Sequence, residues 1–388
     1  MSEGANAYDA MRIQVLEGQE AVRKRPGMYI GSTGERGLRN MVFEVTDRAV
    51  NEVLAGRASC VHVTLLPDGG VCVTDDGPGV PIDQPEGIGG PGLEALLTRM
   101  QFGSAPDGRR GVTPGFCGVG PFVVNALSSR LTVAVQREGV HRVQEYARGV
   151  AVTALSEAAP TTSGSGTTIT FWPDAEIFTA SEFSFDALAE RFRELAFLNR
   201  DLEISLADQR RPPESPAVRF RFPRGARDFV AFLDGQTAPP GDPDILSFER
   251  EDPQMAGTVE VALRWHDTDD QRVRSFANSR PTGGGTHELG FREGVTAAVN
   301  TYLRKHQLRA VTDPDLDSHE IGAGLTAVVS VKLDHPEFHG AIRDILGNAE
   351  VRTCVERAVQ EQLGRWLEGR PERTAAILDR TTNGTHWQ

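Results

Sequence analysis

The sequence predicts a mixed α+β protein of two units, and three observations carry that expectation. A hairpin signature comes early. Val61-His62-Val63-Thr64-Leu65 and Val71-Cys72-Val73-Thr74 alternate apolar and polar residues around the turn Pro67-Asp68-Gly69-Gly70. An amphipathic helix precedes it, with Leu38, Met41, Val42, Val45, Ala49, Val50 and Val53 at helical spacing over residues 38–54. A Pro-rich stretch, Arg210 to Pro216, then separates this half from a second one that starts near Val218. There the order strand, strand, helix, strand, helix implies a small α/β unit with a right-handed crossover.

Taken in order, residues 1–15 read as a polar arm with Tyr8, Ile13 and Val15 as anchors. Residues 18–26 read as a short helix stopped by Pro26-Gly27, with Met28-Tyr29-Ile30-Gly31 as a loop. On the helix over 38–54, Glu44, Arg48 and Asn51 are spaced by four and three and so share a face. Glu44 and Arg48 have the spacing of an i,i+4 ion pair, which on an exposed helix contributes only a few tenths of a kcal/mol, about 0.3. The second hairpin strand runs into Asp75-Asp76-Gly77-Pro78-Gly79, a plain turn or a carboxylate beside a close-fitting backbone. Residues 93–102 read as a helix and 103–115 as a loop of lid type. Gly115-Phe116-Cys117-Gly118-Val119-Gly120 then opens a helix over 122–127, an arrangement that lets backbone N–H groups approach a phosphate. Strands follow at 131–136, 141–146, 166–173 and 202–206, with an amphipathic helix at 185–198 before the last. In the second half, strands are expected at 258–265, 273–278 and 325–333, and helices at 290–304 and 349–367. The tail, 381–388, is polar.

Composition excludes several classes. The chain has 388 residues, 39% apolar and 24% charged, which suits a globular protein of two or three domains. No apolar run approaches the ~18 residues of a membrane span. Met1 to Asp9 lacks a basic segment followed by an apolar core, so the expected compartment is the cytoplasm, with no membrane partner. Cys60, Cys72, Cys117 and Cys354 lack metal-site spacing and are expected to be reduced thiols. The net charge of −13 argues against a DNA binder that relies on bulk charge, although Arg23, Lys24, Arg25, Arg36 and Arg39 cluster early.

These segments resemble the ATPase region of bacterial type II topoisomerases, DNA gyrase B and its ParE-type relatives. The likeness is carried by Val15-Leu16-Glu17-Gly18, by Ala21-Val22-Arg23-Lys24-Arg25-Pro26-Gly27-Met28-Tyr29-Ile30-Gly31, and by residues 42–56, 75–81, 115–128 and 166–173. Gly284-Gly285-Thr286-His287-Glu288 and residues 328–333 extend it into the second half. The resemblance implies an N-terminal arm at 1–15, a GHKL-type α/β sandwich at 16–214, a ribosomal-protein-S5-like transducer domain at 215–380, and a tail at 381–388. It implies ATP as ligand, with Glu44 as general base, Asp75 as acceptor of the adenine amine and Thr167 as its companion. Gly77 and Gly79 match the adenine turn, and Arg137 borders it. Gly115, Gly118 and Gly120 match phosphate-lid glycines, with Val119 between them. Tyr8 and Ile13 match an arm that reaches a second protomer, so a homodimer is implied.

The departures concentrate at the triphosphate end. Arg48 stands where the family has an Asn that ligates Mg²⁺, and a guanidinium has no lone pair for a cation. No metal ligand is therefore assigned, and the need for Mg²⁺ stays open. Asn51 replaces an Asp, Pro78 an Arg, and Cys117 the lid His; Ser104 falls near a lid Lys. Cys117 reads either as an activated thiol or as a small apolar filler. Arg343 stands where a Lys contacts the γ-phosphate. Arg48 is expected either to pair with Glu44, which slows hydrolysis, or to reach the phosphates in place of the metal. The adenine end, Asp75 and Thr167, is expected to be intact. The family continues into a TOPRIM domain that this sequence lacks, and a natural stand-alone module is the expectation. Three functions stay open: an ATP-binding, nucleotide-gated clamp with impaired hydrolysis; an enzyme repurposed for other ATP-dependent chemistry; and a nucleotide-free protein that titrates gyrase-type partners or inhibitors. A DNA or gyrase-type partner is also left open.

Overall fold

The computed structural model describes residues 18–82, 92–99, 120–158, 164–180, 182–210, 212, 215–235, 244–266, 270–308, 312–340 and 344–383. Two short helices open it, α1 (Gly18–Lys24) and α2 (Gly27–Ile30). The second corrects the loop expected after Pro26-Gly27. Pro26 already has a helical φ of −57°, and its missing N–H falls where a first turn needs none. Gly31, at φ 79°, ends the turn by donating to the Gly27 carbonyl.

The long helix α3 (Glu35–Leu54) leads into the expected hairpin of β1 (Cys60–Leu65) and β2 (Val71–Asp75), with Val63 opposite Val73. Next come α4 (Leu93–Thr98), α5 (Pro121–Ala126), β3 (Ser128–Arg137), β4 (Val140–Ala147), β5 (Val150–Ala151), β6 (Ser156–Ala158) and β7 (Gly166–Pro173). Then follow α6 (Phe185–Leu198), β8 (Glu203–Asp208) and β9 (Ala217–Phe220). Among the described residues these strands form one nine-stranded sheet in the order β5-β4-β3-β7-β2-β1-β8-β9, with β6 on β4. Its strands alternate buried and open positions, so one face packs a core. That core joins Met41 and Val45 of α3 and Phe192 and Leu195 of α6 to Val63, Val73 and Ile169. Strand β9 is a further correction. It pairs antiparallel with β8, so the first sheet extends through Phe220 rather than giving way near Val218. The Pro-rich stretch before it is a connection within this sheet.

The second sheet begins after α7 (Ala226–Leu233), with β10 (Leu246–Asp252), β11 (Gly257–Trp265), β12 (Arg272–Ala277) and β13 (Arg280–Pro281). The chain continues through α8 (Thr286–Lys305), α9 (Ser318–Gly322), β14 (Leu325–Leu333), β15 (Phe338–His339), β16 (Ile345–Leu346), α10 (Ala349–Glu368) and α11 (Pro371–Asn383). The strand order is β10-β11-β14-β12-β13. The apolar run of β14 puts it in the centre, parallel to β12, with α8 as the crossover between them. Helix α10 lies against α8 where Gly290 and Gly294 let the backbones approach. A Cβ at these positions would stand 2.2 Å from Arg352 O and 2.6 Å from Glu356 O. The order strand, strand, helix, strand, helix is as expected, while α7, β10 and α11 add to it.

The two sheets meet across a shared seam. Phe197 of α6 stacks on Phe229 of α7 at 4.6 Å and packs in one cluster with Ala262, Phe276 and Val328. Asn199 donates to Ser279 Oγ at 3.1 Å and accepts from Lys332 Nζ at 3.0 Å. Arg191 donates to the Ser279 carbonyl at 3.0 Å.

Candidate functional site

The site lies where α3 crosses the end of β2. The apolar stripe of α3 faces the sheet, and the same rotation carries Glu44, Thr46 and Asp47 into burial. Asp75 is the last residue of β2, opposite Thr167 of β7 in register, so carboxylate and hydroxyl emerge side by side. Two glycines are required here. Gly79 has φ 79°, and a Cβ on it would stand 2.7 Å from Gln136 O. A Cβ on Gly166 would stand 2.3 Å from Asp75 O.

The polar groups at this end are tied to one another. Arg48 Nη1 donates to Asp75 Oδ2 at 2.6 Å and Nη2 donates to Thr167 Oγ1 at 3.2 Å. Thr167 Oγ1 also accepts from the Val80 N–H at 3.1 Å, and Asp75 Oδ1 accepts from the Gly77 N–H at 3.1 Å. Arg137 Nη1 donates to the Gly79 carbonyl at 3.0 Å. The Asp75 side chain is 1% exposed and that of Arg48 14%. A buried carboxylate demands a compensating charge, and Arg48 supplies it from α3.

This corrects the expected pairing of Arg48 with Glu44: Arg48 turns onto Asp75 and Thr167, the two residues expected to meet the adenine. Glu44, fully buried, accepts instead from the Gly120 N–H at 3.0 Å, where α5 begins. The structure therefore brings Glu44, Arg48, Asp75, Gly77, Gly79, Thr167, Arg137 and Gly120 together, with Asn51 a turn further along α3 and half-buried. Tyr8, Ile13, Ser104, Gly115, Cys117, Gly118, Val119 and Arg343 lie outside the described residues.

Asp76, beside Asp75, has a role that sequence reasoning missed. Its carboxylate accepts from the N–H groups of Ser59 and Cys60 at 2.7 and 3.0 Å and from the Ser59 hydroxyl, anchoring the start of β1. Burial pushes its pKa up, but these hydrogen bonds outweigh burial and hold it at about 2. The doubled acid Asp75-Asp76 was the available signal. On a strand, neighbouring residues point to opposite faces, so only one of them could face the site.

A guanidinium offers only N–H donors, so Arg48 itself cannot ligate Mg²⁺. No group of three or more His, Cys, Asp or Glu among the described residues makes a ready metal cage, although Mg²⁺ in a nucleotide site takes most of its oxygens from phosphates and water. Nor is any helix among the described residues long and apolar enough to cross a membrane.

Comparison with known proteins follows the same division. Residues 33–177 match the family described as histidine kinase-, DNA gyrase B-, and HSP90-like ATPase, and residues 225–387 match the family described as DNA gyrase B. The DNA gyrase B protein of Streptomyces coelicolor is 41% identical over 401 residues, covering 99% of this chain and 58% of that protein. That of Halalkalibacterium halodurans is 40% identical, covering 98% of this chain and 59% of its own length. The chain thus spans somewhat over half the length of the curated relatives it matches. A crystal structure of the 43K ATPase domain of Thermus thermophilus gyrase B, in complex with an aminocoumarin, superposes with a TM-score of 0.77 at 31% identity, covering 95% of both chains. The topoisomerase IV ATP-binding domain of Francisella tularensis, with a small-molecule inhibitor, gives 0.76 at 28% identity, covering 95% of this chain and 97% of that one. These matches bear out the expected GHKL-type sandwich followed by a transducer-type domain.

Proposed function

Because this chain belongs to the DNA gyrase B family, in its ATPase region, we propose that it is a nucleotide-binding module whose Mg²⁺-dependent hydrolysis is impaired. ATP is the ligand to which the relatives' ATPase designation points. The reading rests on one observation above all, the placement of Arg48 across Asp75 and Thr167. The side chain that replaces the metal ligand cannot hold a cation, and it adds positive charge beside the site. Phosphoryl transfer depends on charge and positioning at the phosphates, normally supplied with Mg²⁺. Glu44 already gives one oxygen to the Gly120 N–H, so an attacking water has to be oriented by the acceptor capacity that remains.

The proposal extends to assembly. The arm at 1–15, through Tyr8 and Ile13, joins two protomers into a nucleotide-gated clamp in the cytoplasm. Gly115, Cys117, Gly118, Val119 and Gly120 line the phosphates as a lid, and Arg343 approaches them from the second domain. The seam at Asn199, Ser279 and Lys332 carries closure of the first domain to the second. A gyrase-type partner or DNA is the object of the clamp.

The test is ATP turnover across a Mg²⁺ titration, in the natural protein and in Arg48→Asn. Turnover is expected to be at least ~100-fold below that of a gyrase B ATPase fragment and to rise in the variant, since loss of charge stabilisation in phosphoryl transfer costs factors of about 10³ or more. Normal Mg²⁺-dependent turnover in the natural protein would end the proposal.

A further inference from the structure

The base end of the site presents the opposite hydrogen-bonding face from the one an adenine amine requires. A 6-aminopurine offers N–H donors at its exocyclic position and needs an open acceptor. Each acceptor here already takes at least one donor: Asp75 Oδ1 from Gly77, Asp75 Oδ2 from Arg48, Thr167 Oγ1 from Val80 and Arg48, and the Gly79 carbonyl from Arg137. A carboxylate oxygen can take a second donor, so coverage decides whether an amine reaches it. The Asp75 side chain is also almost completely covered, at 1% exposed, while that of Arg48 keeps 14%. An incoming base edge therefore finds more of the Arg48 side chain open to it than of the carboxylate.

Arg48 retains donors for that edge. A guanidinium carries five N–H groups in a planar fork, and two of the acceptors it needs are supplied by Asp75 and Thr167. Asp75 pins the plane of the fork, so the remaining N–H groups point in fixed directions at little further cost in side-chain entropy. The base complementary to a fixed fork of donors is one that shows two adjacent acceptors. A 6-oxopurine does so through O6 and N7, the pair that Arg reads in guanine; adenine replaces O6 with an amine that repels the fork.

We propose that this site prefers a 6-oxopurine nucleotide, guanosine or inosine, over an adenosine nucleotide, with Arg48 as the specificity-determining residue. This rests on the nucleotide-binding reading and sharpens its ligand. Asp75 becomes a positioning residue, holding Arg48 in place rather than touching the base.

The experiment is calorimetric titration of the natural full chain with the non-hydrolysable imidotriphosphate analogues of guanosine, inosine and adenosine, in EDTA and again with Mg²⁺. The guanosine and inosine analogues are expected to bind at least ~10-fold more tightly than the adenosine one, the discrimination of one bidentate Arg contact. Inosine should match guanosine, because it shares O6 and N7 and lacks only the 2-amino group. Arg48→Asn should reverse the order by releasing Asp75 to an amine, and Arg48→Lys should level it by removing the fork. Tighter binding of the adenosine analogue by the natural protein, or no preference, overturns the base assignment and leaves nucleotide binding standing. Binding of none of the three overturns both. The natural-protein series decides the matter even if a variant fails to fold.

Discussion

Helices α3 and α8 carry the same local arrangement, a Glu followed four residues later by an Arg, and they resolve it differently. On α8, Arg292 donates to Glu288 Oε1 from Nε at 3.1 Å and from Nη2 at 2.8 Å, the pairing that the spacing favours. On α3, Arg48 leaves Glu44 and reaches Asp75, 27 residues along the chain. The difference is burial. Arg292 and Glu288 are 31% and 21% exposed and have water to complete their solvation. Asp75 is almost fully covered, and an uncompensated carboxylate there costs far more than a surface pair gains. A buried acid at a strand end therefore outcompetes a helical neighbour for the same cation.

The largest effect that can break this comparison comes from removing the two arginines in parallel. Arg48→Asn strands a buried carboxylate and is expected to lower the unfolding free energy by about 4 kcal/mol in urea titrations. Adding Asp75→Asn should recover much of the loss, because the pair is then removed together. Losses equal to those of Arg292→Asn would mean that burial does not separate the two helices.

Next in size is a pH effect confined to the second region. His287 adjoins Glu288 and is fully buried, its Nε2 3.1 Å from Thr282 Oγ1, and Nδ1 finds no partner among the described residues. Burial holds its pKa down, and the nearby Glu288 only partly opposes this, leaving it at about 4 against an ordinary 6.5. The neutral ring can donate from Nε2 to Thr282, which then donates to Ser275, which donates to Glu288 Oε2 at 2.8 Å. The unfolded chain takes up this proton near 6.5 and the folded one only near 4. Stability is therefore complete above about 6.5 and is lost as pH falls toward about 4, by on the order of 3 kcal/mol. Urea midpoints measured across that window should fall more steeply in the natural protein than in His287→Gln. Parallel pH profiles would remove His287 from the account.

The same competition explains what could be read in the sequence. Strands β7 and β14 were legible end to end because alternation in one and an unbroken apolar run in the other are backbone-local signals. Helix α6 was legible for the same reason, and its Ser184 cap accepts from the Ala187 N–H at 3.3 Å. Asp75, Thr167, Gly77 and Gly79 were found through motif, and the structure gathers them. The partner of Arg48 was not legible. Spacing along a helix shows a neighbour four residues away, not a carboxylate that the sheet brings up from another element. Strand β9 was masked by prolines before it, which mark a turn equally well within a sheet and between domains.

Long-range partners should also dominate at the seam, at a middle magnitude. Asn199 ends α6 and bonds Ser279 and Lys332, 80 and 133 residues further along. Asn199→Ala removes both and deprives the buried Ser279 hydroxyl of this partner, at about 2 kcal/mol. If the two halves depend on this residue for coupling, the variant should unfold in two resolvable steps by paired fluorescence and far-ultraviolet measurements. A single transition of unchanged midpoint would show that the stacked Phe197 and Phe229 carry the seam alone.

The smallest effect belongs to the pair that obeys local spacing. Arg292→Ala is expected to cost about 0.5 kcal/mol at low salt, because both charges are partly hydrated and Glu288 keeps its bond from Ser275. That small loss should shrink further as ionic strength rises toward ~1 M, where the screening length falls to ~3 Å. The Arg48→Asn loss should persist, since a covered pair is poorly screened. Salt thus separates the two arginines without reference to absolute stability. A salt-sensitive Arg48 would mean that the Asp75 carboxylate is open to solvent, and an acceptor open to solvent is open to an adenine amine as well.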